Sequence, residues 1–134
     1  MKYNFENLYE HVGYLFYGLV RRDEGISATD LLKLTEFVNY TWKPTASGDP
    51  GLSVHLAERI HGGIRYAATN RMTTSHAIES FKEYFVIHAL AFSGTLRERI
   101  LSSIHTLQKD FPGNSASHGI DLELQRLFAV PTVV

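Results

Sequence analysis

Residues 5–22 have the sequence FENLYEHVGYLFYGLVRR, in which apolar side chains return at every third or fourth position. The members of this pattern are Phe5, Leu8, Tyr9, Val12, Leu15, Phe16, Leu19 and Val20. Because an α-helix brings residues three and four apart onto one face, the spacing predicts a first helix that ends near Arg22. Gly13 and Gly18 weaken such a helix, although glycine often marks the close approach of a neighbouring backbone.

The same periodicity continues downstream and predicts five further helices. Ser27 is a typical N-cap, and Asp30 stands three residues later, where a capping box places its acid. The second helix is expected to reach Pro44, before a loop over 43–51. The third helix starts near Leu52, and Gly62-Gly63 in its middle is a candidate break.

The C-terminal half contains three further helix starts. Thr73-Thr74-Ser75 offers caps for a fourth helix, which Gly94 is expected to end. Thr95 and Glu98 form a capping box that predicts the start of a fifth helix. A sixth covers about 119–130. Since no stretch alternates as a strand does, we predict an all-α single domain spanning residues 1–134, with about six helices in orthogonal or bundle-like packing.

Composition excludes several classes of protein. Hydrophobic residues make up 44% and charged residues 20% of the 134 residues, which is typical of a globular domain. The net charge of −1 includes no basic excess, so we expect no nucleic-acid binding. The absence of cysteine excludes disulfides, thiolate zinc sites and cysteine nucleophiles. The longest nearly uncharged run, 84–94, is too short to span a membrane, and we expect a soluble cytoplasmic protein.

Two segments resemble the TerB-like family of tellurite-resistance domains. Residues 15–20, LFYGLV, precede an acidic turn and a helix start at 23–30, DEGISATD. The positions that match the family are Asp23, Ile26, Ser27 and Asp30. Glu24 stands where the family has glycine, and the glycine of this chain, Gly25, comes one position later. Residues 121–124, DLEL, with Leu127, are similar to the family's closing helix.

The resemblance implies a helical domain linked to tellurite and other chemical stress. It brings no family-wide catalytic activity, and some members are thought to bind a divalent metal through acidic residues. On this chain, Asp23, Glu24 and Asp30 are the first candidate ligands. Asp121 and Glu123 join them if the two acidic segments pack side by side. Ca²⁺ or Mg²⁺ would suit such an oxygen-rich site. The alternative is structural: these acids cap turns and favour helix N-termini.

Seven histidines suggest a second hypothesis, a metal-dependent enzyme that uses histidine and carboxylate ligands. Glu58 and His61 have the Glu-x-x-His spacing of carboxylate-bridged di-iron bundles, but the chain has no second copy of that motif. His55 lies six residues before His61, a poor spacing for sharing one helix face. The hypothesis requires these side chains to converge with residues of another helix around a cavity.

Tyr14 and Tyr17 lie off the main stripe of the first helix, which is therefore apolar on nearly every side. Such a helix is either central in its domain or shared with a partner, and tyrosine is common at interfaces. Both tyrosines are candidates for a homodimer or protein-partner interface. The leading functional hypothesis is a non-enzymatic interaction or stress-response module. A third possibility is a structural subunit of a larger assembly, with an exposed apolar patch.

Overall fold

The computed structural model describes residues 5–22, 25–42, 50–111 and 119–129, with the side chains of all of these except 5 and 50–55. The helices are α1 (Phe5–Val20), α2 (Ala28–Thr41), α3 (Pro50–Thr69), α4 (Thr74–Ile87), α5 (Gly94–Asp110) and α6 (Ile120–Ala129). A short 3₁₀ turn, Ala89–Ala91, separates α4 from α5. Within these ranges there is no strand, only an isolated bridge between Arg22 and Gly25. Over the described residues, the prediction of an all-α single domain with six helices is confirmed.

Helix α1 is the centre of the fold. It packs most extensively against α3 and α4, and also contacts α5 and α2. Leu8, Val12, Leu15, Phe16 and Leu19 have no solvent exposure. Burying a leucine side chain contributes about 1.5–3 kcal/mol, so this stripe supplies a large share of the core free energy. The apolar periodicity of residues 5–20 therefore reflects contacts on several sides at once.

The crossing of α1 and α3 depends on two glycines. A Cβ atom on Gly63 would overlap the carbonyl oxygen of Glu10, and a Cβ on Gly13 would overlap that of Ile60. Helix α3 runs unbroken through Gly62-Gly63, so the expected break does not occur. The lost helix propensity is offset because only glycine lets the two backbones approach this closely.

Helix caps agree with the sequence at two of three predicted starts. The Ser27 hydroxyl accepts from the Asp30 N–H at 3.1 Å, and the Thr73 hydroxyl accepts from the His76 N–H at 3.0 Å. The α4–α5 boundary differs from the prediction, because α4 already ends at Ile87. Ser93, rather than Thr95, caps α5 by accepting from the Leu96 N–H at 3.1 Å. A serine two residues upstream serves equally well, and Gly94 then starts the helix.

Two arginines of α5 bind the carbonyl ends of other elements. Arg97 donates to the carbonyls of Phe92 at 2.9 Å, Phe128 at 2.7 Å and Ala89 at 3.0 Å. Arg99 donates to the Thr41 carbonyl at 3.0 Å, with its guanidinium 4.2 Å from the Trp42 ring centroid. A cation is favourable at a helix C-terminus, where carbonyls lack partners in the helix. Among the described helices, none has the length and apolarity that crossing a bilayer requires.

Candidate functional site

The first acidic corner is only partly described. Asp23 and Glu24 lie outside the described residues. Asp30 is buried at the start of α2, and its carboxylate lies 3.2 Å from the Arg22 Nε atom. The sequence predicted the position of Asp30 but not this partner. A cation at this corner would have to compete with the guanidinium or displace it.

The second acidic corner is paired as well. Asp121 lies 3.6 Å from the Nε2 atom of His105, and Glu123 bonds to Lys82. Lys82 also lies 3.0 Å from Glu79. Burial opposes the charge on Lys82, but the hydrogen bonds from Glu123 and Glu79 outweigh it, and the pKa of Lys82 is raised. The carboxylate of Glu123 is therefore held by a firmly protonated lysine.

The described residues bring no three histidine, aspartate or glutamate side chains together in a way that could hold a metal ion. Asp30, Asp121 and Glu123 each have a cationic or histidine partner instead. His61 places its Nε2 atom 2.9 Å from the Asn39 side-chain oxygen, and Glu58 is exposed. The side chain of His55 lies outside the described set. The cation site at Asp23 and Glu24 stays a prediction.

The two tyrosines proposed for an interface have different surroundings. Tyr17 is 1% exposed and packs with Ala67 and Ala77, so its ring belongs to this chain's own core and offers no surface to a partner. Tyr17 lies off the main apolar stripe because α1 has a second buried face. Tyr14 is half-buried and stays at the surface, with its ring centroid 5.8 Å from that of Tyr66 on α3.

Tyr14 is part of a continuous series of ring contacts, which we call the ring row: Tyr66, Tyr14, His11, Tyr84 and His88. The centroids of Tyr14 and His11 are 4.9 Å apart. His11 stacks on Tyr84 at 4.1 Å with 20° between the planes, and His88 lies 4.3 Å from the same phenol ring. These residues come from three helices, so no local pattern in the sequence identifies the group.

The electrostatics of the ring row centre on His11. Its Nδ1 atom lies 2.7 Å from the Asn7 carbonyl oxygen, which can only accept, so Nδ1 carries the proton of the neutral ring. Burial lowers the pKa of His11, against the raising effects of the Asn7 hydrogen bond and Glu10, while His88 lowers it further. Burial also raises the pKa values of Tyr14 and Tyr84. His11, Tyr14 and Tyr84 are therefore uncharged at neutral pH.

Beside the ring row, the end of α4 exposes three large apolar side chains. Val86 is 64%, Ile87 is 74% and Leu90 is 63% exposed. We call these three residues the α4 patch. The predicted inner face of this helix is buried at Ile78, Phe81, Phe85 and Phe92, while His88 is half-buried. The signal in the sequence was that residues 84–92 are apolar on more than one side of the helix.

Charged side chains line two clefts of the described surface. One, of about 520 Å³, lies between α4 and α6 and is lined by Lys82, Leu122, Glu123, Arg126 and Leu127 among others. Lys82 and Glu123 bind each other there. Another, about 460 Å³, lies between α2 and the end of α5 beside Lys33, Glu36 and Asp110. Neither contains a histidine.

Comparison with protein-family models, curated proteins and solved structures finds no match to this chain. The resemblance to the TerB-like family therefore stays a prediction from residues 15–30 and 121–127.

Proposed function

We propose that this chain is a non-enzymatic interaction module of TerB-like type, and that its working surface is the α4 patch with the adjoining ring row. A second copy of the chain is the occupant. The exposure of Val86, Ile87 and Leu90 within five residues carries this proposal. Grouped exposed apolar side chains are less common on a monomeric domain than scattered ones, and they often mark an interaction surface.

The chemistry of the surface favours self-association. A two-fold interface sets the same patch against itself, so a charge near its centre faces an identical charge. The α4 patch has no ionisable side chain, and His11 in the ring row is neutral at pH 7. Glu83, one turn before Val86, is exposed, and we expect it to stay hydrated at the edge of such an interface. Tyr14 and Tyr66 add aromatic area of the kind enriched at interfaces.

The paired charges elsewhere support placing the function on this surface. In the cleft between α4 and α6, Lys82 and Glu123 are bound to each other rather than directed at a ligand. Asp30 is held by Arg22. The apolar surface, by contrast, loses contact with water only when something packs on it, and burying apolar area stabilises such a complex by about 25 cal/mol per Å² before the costs of association.

Sedimentation equilibrium over a wide concentration range tests the proposal. We expect the wild type to dimerise, and Leu90→Lys to shift it to monomer, since a buried lysine would face its own copy across the two-fold axis. Leu32→Lys on α2 is the matched control, because Leu32 is 59% exposed against 63% for Leu90. A wild-type monomer at the highest concentration, or equal effects of the two lysines, would contradict the proposal.

The stress-response hypothesis adds a divalent cation, Ca²⁺ or Mg²⁺, at Asp23, Glu24 and Asp30. The exposed position of Arg22 supports this addition, because its side chain is 59% exposed and can leave the buried Asp30 carboxylate. Calorimetric titration with each metal should show heat that Asp30→Asn abolishes. If no heat appears and the melting temperature does not change, the cation is excluded while the interaction proposal stands.

A further inference from the structure

Two histidines contact the same tyrosine ring at the seam between α1 and α4. His11 of α1 stacks on Tyr84 at 4.1 Å, and His88, the C-cap of α4, lies 4.3 Å from that ring. Tyr84 is 9% exposed, so the contact is at the edge of the core rather than in open solvent. Imidazole is the side chain that gains a charge on mild acidification, so protonation of His11 would add a charge to packed rings at this seam.

We propose that His11, Tyr84 and His88 form an acid-sensitive clasp between α1 and the end of α4, which weakens when His11 is protonated. A neutral imidazole stacks on the phenol without a charge penalty. An imidazolium ion against the buried Tyr84 ring loses hydration, and this loss is costly where the effective dielectric constant is low. The clasp does not depend on what the α4 patch binds.

Titratable and charged groups of α1, α3 and α5 face the clasp. On α1 these are Glu10 and Tyr14, and Glu10 lies 3.6 Å from Arg59 of α3, which reduces its attraction for a protonated His11. On α3, Tyr66 contacts Tyr14. On α5, Arg97 binds the carbonyl of Ala89, next to His88. An imidazolium above a phenol ring also gains a cation–π attraction. Burial and the neighbouring histidine outweigh the attractions, since the pKa of His11 is lowered overall.

The sign of the pH dependence follows from that direction. A histidine in an unfolded chain has a pKa of about 6.5. With the folded pKa below this value, the unfolded chain binds more protons than the folded one at pH below about 6.5. The free energy of unfolding therefore contains a contribution from neutral His11 that is complete above pH 6.5. It is lost as the pH falls from there through the lowered folded pKa.

Urea unfolding at pH 7.5, 6.5 and 5.5 tests the clasp. We expect the wild-type midpoint to fall toward pH 5.5, and the fall to be smaller in the double variant His11→Gln with His88→Gln. His76→Gln is the control. His76 is an exposed histidine of α4 that has no ring contact among the described residues, so this variant should behave as the wild type. If the glutamine variants do not fold, His11→Phe replaces them in this test, because it keeps an aromatic ring on Tyr84.

Imidazole NMR titration supplies an independent measurement. The His11 resonances should titrate below the pH of about 6.5 that is usual for a histidine in an unfolded chain, and the chemical shifts of residues 84–92 should follow the same curve. The inference is overturned if the urea midpoints of the double variant and the wild type fall by the same amount between pH 7.5 and 5.5, or if His11 titrates at or above this ordinary value.

Discussion

The α1–α3 crossing and the end of α4 are built in opposite ways. At the crossing, Gly13 and Gly63 bring two backbones into direct contact, and no space is left for a Cβ atom. At the end of α4, Val86, Ile87 and Leu90 leave most of their surface in solvent. Both segments are apolar in sequence. The difference teaches that apolar sequence identifies surfaces that need a packing partner. Whether that partner is another helix of this chain depends on how the helices are arranged.

The largest effect is expected where the crossing is broken. Gly63→Ala places a Cβ on the Glu10 carbonyl, so the helices must separate, and we expect a loss of about 3 kcal/mol in the free energy of unfolding. Urea denaturation measures it.

The adjacent glycine is the matched control. A Cβ on Gly62 meets nothing within 4 Å. Gly62→Ala should therefore raise the free energy of unfolding by about 0.5–1 kcal/mol, because alanine is the better helix former. Equal effects of the two alanines would show that the close crossing does not exist.

Loss of Arg97 is the next largest effect, and it tests how the end of α4 is held. Arg97→Met leaves the carbonyls of Ala89, Phe92 and Phe128 without this donor, and we expect a loss of about 2–3 kcal/mol. Arg65→Met on the exposed side of α3 is the control and should change stability by less than about 0.5 kcal/mol. Thermal unfolding followed by circular dichroism compares the two variants. Similar melting temperatures would contradict the role of Arg97 in holding these carbonyls.

A glycine at position 71, in the turn that links α3 to α4, should raise the free energy of unfolding. Arg71 has φ of 51°, and Met72 donates to the Ala67 carbonyl at 3.0 Å in the manner of a helix-ending Schellman turn. The left-handed conformation costs a side-chain-bearing residue about 1 kcal/mol, and glycine escapes most of this. Arg71→Gly should therefore raise the urea midpoint, whereas a lower midpoint would mean that the arginine side chain contributes more than the strain.

The smallest effect on folding is expected at the α4 patch. Ile87→Lys replaces a side chain that is already 74% exposed, so the free energy of unfolding of the monomer should change by less than about 0.5 kcal/mol. Unfolding is measured at low protein concentration, where any dimer has dissociated. A large loss would show that Ile87 is buried within its own chain, and would remove the contrast with the crossing.

Sequence periodicity predicted helices because it depends on residues within one turn. The Ser27 and Thr73 caps could be predicted for the same reason, because each hydroxyl accepts from an N–H three residues away. The Ser93 cap was missed because two hydroxyl residues, Ser93 and Thr95, both suit a helix start. Asp30 was identified as an acid at a helix N-terminus, but its pairing with Arg22 depends on how the intervening turn folds back.

The order of hydrophobic and polar residues by itself determined the all-α class, the number of helices and most of their ends, because these follow from hydrogen bonds and side-chain contacts within one helix. Only the tertiary structure decided that α3 continues through Gly62-Gly63 with Gly63 as a contact, and that Tyr17 is core while Tyr14 is surface. It alone also placed His11 and His88 on one tyrosine. Those outcomes require residues far apart in the chain to meet, and their free energies come from packing that no local segment contains.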